Sequence, residues 1–242
     1  MARIVSLVPS ITELLCELGL AEQVVGRTGF CVHPRDAVRR IPKVGGTKSV
    51  NLEKVRALQP THVIVNIDEN EKPTAEAIAR FVPHLVVTHP LAPLDNLALY
   101  RQMGELFGAQ AKAAALCAEF LRAHERAAAV RWPQRSVLYL IWKKPWMTVS
   151  RDTYISRTLA LFGMQTYPQT AGVRYPTLEA IADLEVDLVL LPTEPYPFRS
   201  RDVTGVATLT QKPVRLIDGE MTSWYGSRAI RGLGYLLQFV SG

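Results

Sequence analysis

The stretch Asn51-Leu-Glu-Lys-Val-Arg-Ala-Leu-Gln-Pro-Thr-His-Val-Ile-Val-Asn66 returns later in the chain as Thr177-Leu-Glu-Ala-Ile-Ala-Asp-Leu-Glu-Val-Asp-Leu-Val-Leu-Leu-Pro192. In each copy apolar residues recur at i, i+3 or i+4 and i+7, the stripe of a short helix. An unbroken apolar run follows, as expected of a strand buried on both faces. Two copies predict two similar lobes.

Outward from the repeat the parallel continues. A strand and a helix precede each copy: Arg3 to Val8 with Ile11 to Gly19, and Ser136 to Trp142 with Ile155 to Gly163. Both helices end in glycine, the residue suited to a C-cap. After each copy, Pro83-His-Leu-Val-Val-Thr88 is echoed by Pro213-Val-Arg-Leu-Ile-Asp218. Each half therefore reads strand, helix, helix, strand, strand, an alternation that builds mostly parallel α/β sheets. Between the halves, Pro93 to Gly108 reads as one helix and Ala109 to Val130 as a longer one, closed by Trp132-Pro133. At 1.5 Å per residue the longer helix spans roughly 33 Å. The expected fold is α/β, two similar Rossmann-like lobes with mostly parallel sheets joined by a long rigid helix. The lobes cover 1–91 and 132–242, and the connecting helices 92–131.

With 242 residues, 48% of them hydrophobic, the chain can fill packed cores, and no apolar run approaches the roughly 20 residues of a membrane span. The first strand begins at Arg3, with no charged start and apolar stretch before it. The expected location is therefore cytoplasmic, or periplasmic if a leader has been removed. Cys16, Cys31 and Cys117 are odd in number and form no CxxC pair, so a disulfide framework is not expected. Cys16 and Cys117 fall in helical patterns as small core residues, whereas Cys31 lies in a loop beside His33. A net charge of +6 permits weak attraction to anions. The densest basic region, Arg35, Arg39, Arg40, Lys43 and Lys48, lacks interleaved aromatics and any helix-turn-helix or finger pattern. It reads as a solvated face, with no nucleic acid as partner.

Open parallel sheets bind ligands outside the carboxyl ends of their strands. In the first lobe those loops hold Pro9-Ser10, Thr28 to Pro34, Val44 to Thr47 and Asn66 to Asn70. In the second they hold Trp142 to Trp146, Val173 to Pro176, Pro192 to Phe198 and Asp218 to Arg228. Trp142, Trp146 and Trp224 all fall there, which points to a flat apolar ligand or a cleft wall, with core packing as the other reading. Catalysis finds no support: Gly45-Gly46 lacks the spacing of a phosphate loop, and there is no GxSxG elbow. The histidines show no HxH, HExxH or HxxxH ligand spacing, and no protein-built metal site is predicted. His62 and His84 begin strands, and His124 sits on the long helix.

The opening Arg3-Ile-Val-Ser-Leu-Val-Pro-Ser-Ile-Thr-Glu-Leu14, the Gly45-Gly-Thr47 before Asn51-Leu-Glu53, and the long central helix resemble the class III substrate-binding proteins of ABC transporters. The chain is similar above all to the cobalamin-binding branch and its relatives, the helical-backbone metal receptors. The resemblance implies capture of cobalamin, haem or a ferric siderophore between two lobes by a monomer that makes and breaks no bond and has no intrinsic cofactor. It implies that Glu53 and Glu179 dock on arginines of an ABC permease, although a carboxylate in a first helical turn also gains from the helix dipole. In the family's aromatic cleft, Phe30 stands where a tyrosine occurs and Tyr175 lies near the place of a tryptophan. Thr47 and Asn66 stand where two tryptophans occur, and Glu220 best matches an acidic residue near the last strand.

Thr193 to Phe198 and Ser223 to Arg228 resemble the uncharacterised relatives more than the transporter-coupled members. Prolines on either side of Tyr196 hold it on the rim. Arg228 meets an anionic ligand group or pairs internally with Glu220 or Asp218. The expected ligand contacts are thus Phe30, Thr47, Asn66, Trp142, Trp146, Tyr175, Tyr196, Glu220, Trp224 and Arg228. The alternative on the same fold is a cytoplasmic metallochaperone or chelatase-like enzyme using Cys31, His33, Glu194 and Glu220.

Overall fold

The computed structural model describes residues 1–168 and 172–242, which divide into two compact units. The first comprises Met1–Pro90, Asn96–Glu119 and Tyr225–Arg228, and the second Leu91–Asp95, Phe120–Trp224 and Ala229–Gly242.

In the first unit the order is β1 (Ile4–Ser6), α1 (Pro9–Glu17), β2 (Val24–Arg27), α2 (Arg35–Val38), α3 (Leu52–Ala57), β3 (His62–Asn66), α4 (Lys72–Ala79) and β4 (His84–Thr88). The four strands are parallel in the order β2-β1-β3-β4. Val5, Val63 and Val65 alternate onto one face and pack with Val44, Val55 and Ile78. Gly26 packs closely here, and a Cβ in its place would stand 2.6 Å from Cδ1 of Leu58 and force that side chain to shift. Helix α5 (Asp95–Phe107) follows, then α6 (Gln110–Ala128), whose residues are divided between the units. Tyr225–Arg228 joins the first unit through Gly226, whose N–H donates to Asn96 Oδ1 at 2.6 Å and whose carbonyl accepts from the Tyr100 hydroxyl at 2.8 Å.

The second unit contains β5 (Arg135–Trp142), β6 (Trp146–Thr148), α7 (Tyr154–Ala160), β7 (Met164–Thr166), β8 (Thr177–Leu178), β9 (Leu188–Pro192), α8 (Ser200–Thr210), β10 (Val214–Ile217), α9 (Gly219–Ser223) and α10 (Arg228–Ser241), the last beginning at a residue of the first unit. Its parallel strands run β7-β5-β9-β10, the order of the first sheet, so the duplicated segment is a duplicated topology. Strands β6 and β8 add antiparallel pairs beside β5.

One expectation fails here. In the first copy of the repeat a helix forms, capped by Asn51, whose Oδ1 accepts the N–H of Lys54 at 2.9 Å. In the second copy no helix follows Thr177. That residue is extended in β8 opposite Met147, Leu178 lies opposite Trp146, and Asp183 sits at φ 58° in the left-handed region. Antiparallel pairing with β6 takes up backbone groups that a helix start would need. Ile181 and Val186 still reach the core with Val189 and Leu191, so the apolar spacing is satisfied by an irregular path. The stretch from Asp218 to Arg228 also differs from the expected loop: Asp218 caps α9 by accepting from Met221 N–H at 3.2 Å. Among the described residues, no helix is long and apolar enough to cross a membrane.

Candidate functional site

The exits of β5 and β9 shape an aromatic wall in the second unit. Strand β5 ends on Trp142, which is 42% exposed despite its size. The segment after β9 carries Tyr196, whose ring meets Trp142 edge-on at 5.5 Å and leans on Phe198 at 4.5 Å. Phe198 is buried among Leu138, Leu140 and Leu191, so it anchors Tyr196, and Tyr196 in turn steadies Trp142. Edge-to-face pairs of this kind contribute about 0.5–1.5 kcal/mol beyond burial. The tight turn after Trp142 leads into β6, where Trp146 lies in a strand and not in a loop. The Lys143 ammonium stands 6.0 Å from the Trp146 ring centre and 3.0 Å from Asp202 Oδ1. That contact holds the Asp202 carboxyl below the usual carboxylate range. Tyr175 is half-buried in the same unit.

Trp224 is buried, and its indole N–H donates to Glu194 Oε1 at 2.5 Å, while the Ser223 hydroxyl donates to the same oxygen at 3.2 Å. Gly219 makes room for this carboxylate, since a Cβ there would lie 2.6 Å from Glu194 Cγ. Burial pushes the Glu194 carboxyl up to about 7; the Trp224 and Ser223 donors oppose that rise, and the nearby Glu220 and Asp218 reinforce it. Sequence reading placed Glu194 only in the alternative site and missed its partnership with Trp224. The available signal was a carboxylate two residues past an apolar strand, framed by prolines.

In the first unit, Phe30, Val32 and Ile67 are large apolar side chains left exposed in the loops after β2 and β3, with Phe30 at 62%. Thr47 is half-buried, and its carbonyl accepts from Asn70 Nδ2 at 3.0 Å. Asn66 differs from its expected ligand role. It is buried, Oδ1 accepts from Asp68 N–H at 2.8 Å and Nδ2 donates to the Thr88 carbonyl at 3.0 Å, so its amide shapes the turn after β3. The Tyr225 hydroxyl donates to Glu69 Oε1 at 2.6 Å, and burial pushes this phenol well above its usual range.

Arg228 is paired inside the protein. It is buried in the first unit, and its guanidinium grips Glu13, a partner the sequence does not suggest, with Nε and Nη2 at 2.7 and 2.9 Å. Such a fork satisfies both carboxylate oxygens. Cys31 is fully buried, with its sulfur accepting from Thr12 Oγ1 at 3.1 Å, and burial pushes its thiol up. A protonated, enclosed thiol is a poor metal donor. Among the described residues no group of three or more His, Cys, Asp or Glu is arranged to hold a metal ion. Glu53 lies in the first turn of α3 with its side chain 85% exposed, and Glu179 is exposed just past β8, outside any helix.

Comparison with known proteins agrees with this architecture. An uncharacterised ABC transporter substrate-binding lipoprotein of Bacillus subtilis, YvrC, is 26% identical over 98% of this chain and 79% of its own length. A vitamin B12-binding protein of Pectobacterium atrosepticum is 25% identical over 72% of this chain and 64% of its own length. The apo structure of the periplasmic haem-binding protein RhuT of Roseiflexus superposes with a TM-score of 0.81 at 23% identity, covering 99% of this chain and 98% of that one. The sequence profile of the periplasmic binding proteins matches residues 4–212. The duplicated parallel sheets, the strand-exit aromatics and this match together show that the chain belongs to the periplasmic binding protein family.

Proposed function

We propose that this protein binds a metal chelate, a corrinoid or haem first and a ferric siderophore next, as the substrate-binding component of an ABC importer. The observation that carries this reading is the Trp142–Tyr196 wall. A tryptophan 42% exposed at a strand exit, steadied by an anchored ring, is costly in water and suited to a flat apolar face. The role in this reading is binding, with no bond made or broken. The relatives named as a B12-binding protein and a haem-binding protein support the ligand class, and the relative named as an ABC transporter lipoprotein supports the transport role. That role places the protein outside the cytoplasm, and it assigns the exposed Glu53 and Glu179, one on each unit, to docking on a permease.

The test is incubation with cobalamin, haem or ferric siderophores, removal of free ligand, and visible spectra with thermal melts. One chelate should remain bound at unit stoichiometry. At a hundredfold excess over Kd it should stabilise the fold by about 2.7 kcal/mol. Trp142→Ala with Tyr196→Ala should weaken binding at least about tenfold, a loss of about 1.4 kcal/mol. Retention of none of the three chelates overturns the reading.

A further inference from the structure

The first unit holds a buried arginine whose charge no carboxylate among the described residues answers. Arg27, the last residue of β2, is 5% exposed. Its Nε donates to the Val38 carbonyl at 2.7 Å and its Nη1 to the Thr28 carbonyl at 3.0 Å, and among the described residues no carboxylate pairs with it. Carbonyl acceptors orient a guanidinium but leave its charge uncompensated, and a buried unpaired charge is costly. Arg27 lines a concavity of about 490 Å³, within the range of small-molecule sites. Arg35, Arg39 and Lys43 line it too, each exposed and, among the described residues, each without a carboxylate partner, against the single acid Asp36 in the lining. Their placement is built into the backbone. Lys43 is bridged to Arg27 beside β2, with Arg27 N–H donating to the Pro42 carbonyl at 3.0 Å and Val44 N–H to the Arg27 carbonyl at 2.8 Å.

We propose that this concavity is an oxyanion site, with Arg27 as its fixed floor and Arg35, Arg39 and Lys43 as its rim, taking a multiply charged phosphate or carboxylate compound. Arginines suit the planar, bidentate recognition of both groups. The site lies wholly in one unit; Phe30 does not line it but its neighbours Gly29, Cys31 and Val32 do, and the proposal does not rest on chelate binding.

Calorimetric titration of the full chain with inorganic phosphate and, separately, citrate at low ionic strength tests it. At least one should bind saturably at one per chain, and the tighter of the two identifies a phosphate or a polycarboxylate source. R39E/K43E should weaken binding at least about tenfold, since charge-assisted contacts are lost. R122E/R126E, the same charge change on exposed residues of α6, should leave affinity unaltered. R27M should abolish binding; if R27M fails to fold, the rim pair decides. No saturable binding of either anion up to about 10 mM, or equal losses in R39E/K43E and R122E/R126E, overturns the proposal.

Discussion

A single carboxyl, Glu194, sets the pH behaviour of the second unit's rim. Its ordinary value of 4.5 is raised to about 7 by burial. Between those values the folded state holds a proton that the unfolded state releases, so this group's contribution is full below about pH 4.5 and is lost as pH rises through 7. Ionising it in place costs on the order of 3 kcal/mol. Glu194→Gln keeps an acceptor for Trp224 and Ser223 without the titration. Denaturant melts should show wild type losing about 2–3 kcal/mol relative to this variant between pH 5 and 8, and parallel profiles would remove the assignment. At Arg228 the expected effect is electrostatic: Glu13→Gln removes the carboxylate charge from a buried bidentate pair and should cost about 3–5 kcal/mol. Sequence alone gave no access to this pair, because its two members stand 215 residues apart and partner choice at such range is set by tertiary packing. The places of Trp142 and Tyr196 at strand exits are legible, because a tryptophan at the end of an apolar strand and a proline-framed tyrosine are local features. Asn66 is not, since its amide is used up by the turn that follows it.

The two copies of the repeat show how one pattern folds in two ways. Asn51 caps α3 through Lys54 N–H, so Asn51→Ala should cost about 1 kcal/mol. Thr177, its counterpart, is an exposed strand residue, and Thr177→Ala should stay within about 0.5 kcal/mol. Equal losses in equilibrium unfolding would mean that the second copy also carries a capped helix. The strands were readable in both copies, because Val63 to Val65 and Leu188 to Leu191 are apolar runs buried on both faces. The second copy reads as a helix because Leu178, Ile181 and Val186 satisfy a helical spacing, whereas the structure buries them by antiparallel pairing and irregular chain. Strands β2, β6 and β7 escaped notice for a different reason. With three or four residues each and Gly26 inside β2, they carry too little alternation to register, and neighbouring strands define them.

At the scale of the whole molecule, each unit repeats the order of its parallel strands and each displays an exposed glutamate at the matching place in the repeat. Glu53 stands on a capped helix and Glu179 past a strand end, and both are exposed. With different local supports, what the two positions share is an exposed carboxylate after a leucine. The dipole benefit of about 0.3–1 kcal/mol applies to Glu53 alone. Charge reversal therefore separates docking from stability. Glu53→Arg with Glu179→Arg, a change at exposed positions, should leave melting temperature and chelate affinity close to wild type. In proteoliposomes holding the cognate ABC permease, the same double variant should lose stimulation of ATP hydrolysis, since two attractive contacts become repulsive ones at an interface steered by charge. Each single reversal should leave a partial response, because one carboxylate still engages. Stimulation that survives the double reversal at unchanged ligand loading would reduce these glutamates to solvated surface groups and move the docking face elsewhere.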